Sequence, residues 1–284
     1  MHVVFFVCAL TSIAAVVLIC LFLFANGIPA MKEIGLLNFL TGAKWKPGND
    51  IYGILPMILG SIYITAGAVV IGVPIGLLTA IFMAFYCPKK LYGLLKPCTE
   101  LLVGIPSIVY GFFGMVIVAP FLQDWFGADT GLNLLNAALM LAFMSVPTIC
   151  SVAEDALFAV PRTLREASLA LGATRWETLI RVVIPSALSG IGTAVMLGMS
   201  RAIGETMVVL MVAGGAAIIP LSIFDPVRPM PASIAAEMAE APFRGDHYFA
   251  LFATGIVLFL FTLLFNMLAF RIAEKHKQTG SSGL

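Results

Sequence analysis

The chain has 284 residues, 61% of them hydrophobic and 11% charged, with a formal net charge of +1. Soluble domains average about 45–50% apolar and about 25% charged residues, so these values, with a mean hydropathy of +1.04, belong to an integral membrane protein. The near-zero net charge gives nucleic-acid binding no electrostatic footing.

About 20 apolar residues in helical form cross a bilayer core, and six such runs occur: 3–25, 55–84, 99–122, 132–152, 187–213 and 247–271. The first lacks a basic leader and exceeds the roughly 7–15 apolar residues of a signal peptide, so it is read as a retained helix. A polar segment over 26–53 follows, with Trp45, Lys46, Pro47, Gly48, Asn49 and Asp50. The second and third runs carry Gly67, Gly72, Pro74 and Gly76, then Gly104, Pro106, Gly111 and Gly114. Small residues let helix backbones approach closely in lipid, and proline at membrane depth needs a neighbour or cavity water for the carbonyl it frees. A tight, movable bundle is expected. Between the fifth and sixth runs, Pro229-Met230-Pro231 leads into an alanine-rich stretch, Ala232 to Ala241, read as a short helix or a solvated connector. The organisation expected is 1–53 as a transmembrane helix with an outer segment, 54–272 as one membrane domain, and 273–284 as a tail with a flexible end from Thr279.

Basic residues set the orientation. With the N-terminus inside, the inner segments hold Lys89, Lys90, Lys96, Arg162, Arg165, Arg175, Arg181, Arg271, Lys275 and Lys277. The outer ones hold Lys32, Lys44, Lys46, Arg228 and Arg244. That places both termini on the cytoplasmic side. Cys8, Cys20, Cys87, Cys98 and Cys150 avoid the outer segments, so no structural disulfide is expected, and His2, His247 and His276 are too scattered to form a metal-ligand set.

Two stretches carry chemistry. Arg201 and Glu205 stand inside the fifth run at a spacing that puts both on one helix face. Each costs about 2.5–3.5 kcal/mol at the bilayer centre, so they face a neighbouring helix or a water-filled pathway. A structural ion pair is one reading. The other is a path residue, since an arginine fork suits an oxyanion and a carboxylate accepts a hydrogen bond from a protonated one. Phosphate keeps a proton at neutral pH and sulfate does not, so the pair is a candidate selector between them. The second stretch is polar and helical, between the fourth and fifth runs. Thr163 with Glu166 has capping-box spacing, Gly172 bends the chain, and Pro185 opens the next run. It reads as a knob for a partner's groove or as an ordinary amphipathic loop. No Gly-x-x-x-x-Gly-Lys-Ser/Thr occurs, so the chain has no P-loop, nor has it a nucleophile–base set.

Glu166, Ala167, Ser168, Gly172, Val182, Ile184 and Pro185 resemble the cytoplasmic signature of ABC importer permeases, with Ser168, Val182 and Ile184 as mild departures. Gly53-Ile54-Leu55-Pro56, Gly104-Ile105-Pro106-Ser107-Ile108-Val109-Tyr110-Gly111 and Arg201-Ala202-Ile203-Gly204-Glu205-Thr206-Met207 are similar to phosphate-specific permeases, the PstC-type subunit more than the PstA-type. The resemblance implies an all-α membrane protein with six transmembrane helices and the type I ABC importer permease (MetI-like) fold. It also implies a phosphate importer of the bacterial inner membrane. In it a PstA-type permease pairs with this chain, two copies of a phosphate-transport ATPase carry ATP and Mg, and a periplasmic phosphate-binding protein delivers substrate. This chain would bind no cofactor and catalyse nothing. Arg201 and Glu205 would line the phosphate path, and a coupling helix near 161–185 would seat in the ATPase through Arg165, Glu166, Ala167, Ser168, Gly172 and Arg175. Alternatives left open are another oxyanion (sulfate, molybdate or phosphonate), the PstA-type slot, and an ATP-independent secondary transporter using Arg201 and Glu205 as a relay. Gly204-Glu205-Thr206-Met207 stands where sulfate and molybdate permeases tend to carry Gly-Glu-Phe-Gly.

Overall fold

The computed structural model describes residues 2–281, and they are almost wholly helical. The order is α1 (His2–Ile34), α2 (Leu36–Thr41), a two-stranded hairpin of β1 (Trp45–Lys46) and β2 (Ile51–Tyr52), α3 (Leu55–Ile81), α4 (Lys89–Val103), α5 (Ser107–Phe113), α6 (Ala119–Phe126), α7 (Leu134–Phe158), α8 (Arg162–Ala170), α9 (Arg175–Thr178), α10 (Ile184–Ile203), α11 (Met207–Val212), α12 (Met230–Glu237) and α13 (Asp246–Ser281). Among the described residues six helical runs are long and apolar enough to cross a membrane: Val4–Ile34, Leu55–Tyr86, Ser107–Phe126, Leu134–Phe158, Arg175–Ile203 and Asp246–Leu268. The expected short helix after Pro229 is α12. Of the tail expected from Thr279, the backbone is helical to Ser281, and residues 282–284 lie outside the described residues.

At the centre α7 packs on α3 and α10, while α1 lies along α13. The glycines explain the close approach. A Cβ on Gly76 of α3 would come within 2.8 Å of Ile149 of α7, and one on Gly198 of α10 within 2.5 Å of the same side chain. Three helices thus converge on Ile149, whose own exposure is 1%, as close packing of small residues in lipid requires.

Three boundaries differ from those expected. The helix begun by the first run continues through Pro29 to Ile34, because the polar residues after 25 still satisfy their backbone along the helix and Ala30 is buried beside α13. The expected third run is two helices, since Pro106 disfavours helical backbone at the residue before it and the chain breaks at Gly104-Ile105-Pro106. The fifth run starts earlier and stops sooner. Pro185 does not open it but lies inside one continuous helical run, Arg175–Ile203.

That proline is absorbed by a wide turn. A proline lacks the N–H for the ladder, and its ring crowds the carbonyl four residues back. Here residues Leu179–Val183 form a π turn, in which the Ile184 N–H reaches back to Leu179. The same device precedes Pro120, with a π turn over Gly114–Val118, whereas the one over Phe82–Tyr86 closes its helix before the extended Cys87 and Pro88. Such turns concentrate at functional positions.

Candidate functional site

Within the membrane the expected charged pair is not a pair. The last turn of α10 holds Arg201, but the helix ends at Ile203, and Gly204-Glu205-Thr206 is a break before α11. Once the backbone leaves the helix the i,i+4 geometry is lost, and among the described residues no ion pair joins Arg201 to Glu205. The Glu205 carboxylate turns onto α11 instead. Its Oε1 accepts from the backbone N–H groups of Met207 at 3.2 Å and Val208 at 3.3 Å, donors that a helix start leaves without internal partners. Arg201 reaches the other way, to α7, where its Nη1 donates to Thr148 Oγ1 at 3.4 Å.

Other residues frame this point. Tyr110 of α5 packs on the core formed by Met140, Met144, Val208 and Val212. Its hydroxyl donates to the Leu102 carbonyl at 3.0 Å, bridging the Gly104–Pro106 break. On α7, Ser145 sits one turn from Thr148 and contacts the Gly198 carbonyl of α10 at 3.4 Å. Half-buried Arg201 therefore stands where two interrupted helices meet an intact one, the setting in which membrane proteins tolerate irregular backbone around a pathway.

Beyond the C-terminal end of α7, helices α8 and α9 form the polar helical segment that the sequence reads as a knob or as an amphipathic loop. Gly172 has φ +84°, a left-handed conformation that L side chains resist, and it reverses the chain between them. Thr163 and Glu166 do not form the expected capping box, because α8 begins after Pro161, whose fixed φ starts the helix with no side-chain cap. The box belongs to α9: Thr174 Oγ1 accepts from the Glu177 N–H at 3.2 Å while Glu177 Oε2 accepts from the Thr174 N–H at 2.9 Å. Ser168, where the resembled signature has alanine, hydrogen-bonds Thr178 at 2.9 Å and ties the two helices.

The site residues expected here divide by direction. Glu166, Ala167, Gly172 and Arg175 are exposed, along with Leu171 at 90% and Trp176 at 57% exposure. Arg165 turns inward. It donates to the Leu157 carbonyl at the end of α7 and lies 4.8 Å over the Phe85 ring in the π turn after α3. Burial, and then the neighbouring Arg162 charge, hold its guanidinium below the ordinary value. Arg165 is an anchor of the knob within this chain and not part of its outer face.

Two groupings escaped the sequence. Thr148 is an unmarked polar residue in an apolar run, and nothing local points from it to Arg201. At the far end from the knob, Glu237 of α12 gathers three partners. Its Oε2 accepts from Trp45 Nε1 at 2.8 Å and lies 2.8 Å from His247 Nε2, while Oε1 pairs with Arg228. Trp45 is 192 positions away, beyond any spacing rule.

Comparison with known proteins bears on this arrangement. Residues 72–277 match the family described as binding-protein-dependent transport system inner membrane component. The chain belongs to that family. It is 39% identical to the probable ABC transporter permease protein YqgH of Bacillus subtilis, over 95% of this chain and 89% of the relative. It is also 39% identical to the phosphate transport system permease protein PstC of Mesorhizobium japonicum, over 87% and 81%. A bacterial alginate ABC transporter structure, determined with an alginate pentasaccharide-bound periplasmic protein, matches at TM-score 0.65 and 14% identity, covering 95% and 94%. The inward-facing MetNI methionine ABC transporter matches at 0.63 and 21%, covering 82% and 99%. Those two likenesses are of fold. As a member of the family the chain is a multi-pass membrane permease with the type I importer fold.

Proposed function

We propose that this permease is the PstC-type subunit of an ATP-driven phosphate importer in a bacterial inner membrane. The observation that carries this reading is Arg201, a half-buried guanidinium in a membrane helix that no carboxylate of the described residues neutralises. A charge inside a membrane-spanning run is costly unless something pairs with it, and a planar fork of donors suits a tetrahedral oxyanion. The names of the PstC relatives supply the cargo.

In this reading the path runs past Arg201 and Glu205, beside a PstA-type permease that completes it. The exposed face of α8 and α9, with Glu166, Ala167, Arg175 and the Gly172 turn, seats on one copy of a partner ATPase, and ATP and Mg bind there. Ser168 holds the two helices together behind that face. A phosphate-binding protein delivers substrate on the opposite side, and both termini are cytoplasmic. ATP-driven closure of the ATPases moves the knob, and α7, α10 and the breaks around Arg201 transmit that motion to the path.

The test is ATP-dependent uptake of labelled phosphate by proteoliposomes holding the reconstituted complex. Native complex should accumulate phosphate, and Arg201→Ala should lose at least tenfold while the ATPase subunits still co-purify. Uptake unchanged by the substitution removes Arg201 from the path, and uptake of a different oxyanion alone replaces the cargo.

A further inference from the structure

Several hydroxyls in these membrane helices spend their proton on the backbone. Ser61, Thr79, Ser145, Ser186, Thr193 and Thr254 each donate to the carbonyl four residues earlier, the ordinary way to satisfy a hydroxyl in an apolar helix. Thr148 forms no such bond among the described residues. Its oxygen is instead the acceptor for Arg201, and an oxygen that accepts from a guanidinium keeps its own O–H free to donate elsewhere.

The guanidinium shows the complementary shortage. It carries five N–H donors, and Thr148 Oγ1 is the acceptor found for them among the described residues, at the long distance of 3.4 Å. The carboxylate best placed by sequence to take more of them, Glu205, turns its Oε1 onto α11 and forms no ion pair with Arg201 among the described residues. Thr148 and Arg201 thus converge from two helices with donors to spare and, among the described residues, no further acceptor for the fork.

We propose that Thr148 is a further anion-contacting residue of the path, orienting the Arg201 fork through its oxygen and donating its O–H to the passing tetrahedral oxyanion. This rests on the anion-path reading above and assigns it a second contact, on a different helix. A neutral donor beside the fork adds a directional contact without deepening the electrostatic well, so the anion is held in orientation and still released.

The experiment uses the full reconstituted complex with native chain, Thr148→Val, which keeps the shape and removes the hydroxyl, and Thr148→Ser, which keeps the hydroxyl. Labelled phosphate uptake below saturation, ATP hydrolysis and co-purification of the ATPase are read together. Losing one hydrogen bond to a charged ligand predicts about a tenfold fall in uptake for the valine variant, equivalent to about 1.4 kcal/mol. Assembly should be retained and serine should stay near native. Arg201→Lys combined with Thr148→Val should lose less than the product of the two single effects, because both remove parts of one contact. Valine uptake equal to native, or serine as impaired as valine, overturns the inference. If valine disturbs assembly, Thr148→Cys, similar in size and a weak donor, is held to the same criteria. Should the native complex carry a different oxyanion, the phosphate reading fails and the same variants are judged on that anion. A native complex that hydrolyses ATP and moves no oxyanion overturns both.

Discussion

A carboxylate with no exposed surface inside an apolar helix needs partners for both oxygens, and Glu154 of α7 has one for only one of them. Lys96 of α4 lies 2.8 Å from its Oε2, while Oε1 has no partner among the described residues. The ammonium also reaches Ser151 at 3.3 Å and Asp155 at 3.7 Å, so a single lysine fastens α4 to α7. Breaking a buried pair from one side is expected to cost more than replacing both members, because the remaining charge is stranded. Lys96→Met should therefore destabilise the solubilised complex by on the order of 3 kcal/mol, read as a lower thermal midpoint. The double variant Lys96→Met with Glu154→Leu should recover most of the loss. A single variant as stable as native would show that the pair contributes nothing. This pair was not legible in the sequence, for a physical reason. Hydropathy ends the fourth run at 152, two positions short of Glu154, whereas the helix continues to Phe158.

At the scale of elements, helix spacing is set where side chains are absent. Ile149 fills the gap left by Gly76 and Gly198, so Gly198→Ala inserts a methyl where no room exists. Overpacking of that kind costs about 1–3 kcal/mol, and Ile149→Ala alone leaves a cavity costing about 2–5 kcal/mol. Combined, the two changes should cost clearly less than their sum, since the new methyl enters the space that isoleucine vacates. Strict additivity in the thermal midpoints of single and double variants would refute the packing argument. Gly76 foretold this tightness, though Gly198 was not singled out, and the six apolar runs foretold the spans, because both signals depend on composition alone. What composition could not supply were the interruptions. The Gly104–Pro106 break and the stop after Ile203 depend on which carbonyls find donors. So does the passage of the helix through Pro185, and a hydropathy average contains none of that. Arg201 was therefore found as a residue while its partner was misassigned: one turn of straight helix would have paired it with Glu205, and the break gives it to Thr148.

Taken as a whole molecule, the chain is built differently at its two ends, and that difference makes its orientation testable. The run Val4–Ile34 has 31 residues, about 46 Å at a rise of about 1.5 Å per residue, against a hydrocarbon core of about 30 Å. The run is thus longer than the core requires, and its last turns carry the polar Lys32 and Glu33. There α2, the hairpin and α12 gather over the start of α13, with Phe39, Trp45, Tyr52 and Met230 in one buried cluster and Glu237 fastening Trp45, Arg228 and His247. The opposite end holds α4, α8 and α9 and most of the basic residues outside the spans. Positive charge is retained on the cytoplasmic side during insertion, so the importer reading expects the knob to face the cytoplasm and the Glu237 cluster to face out. Two exposed positions test this, Arg244 beside α13 and Lys89 at the start of α4. In a chain with its five cysteines replaced, Arg244→Cys should react with a membrane-impermeant maleimide on intact cells, and Lys89→Cys only after permeabilisation. The reverse pattern would put the knob outside, where no ATPase could reach it, and the importer reading would fall with the topology.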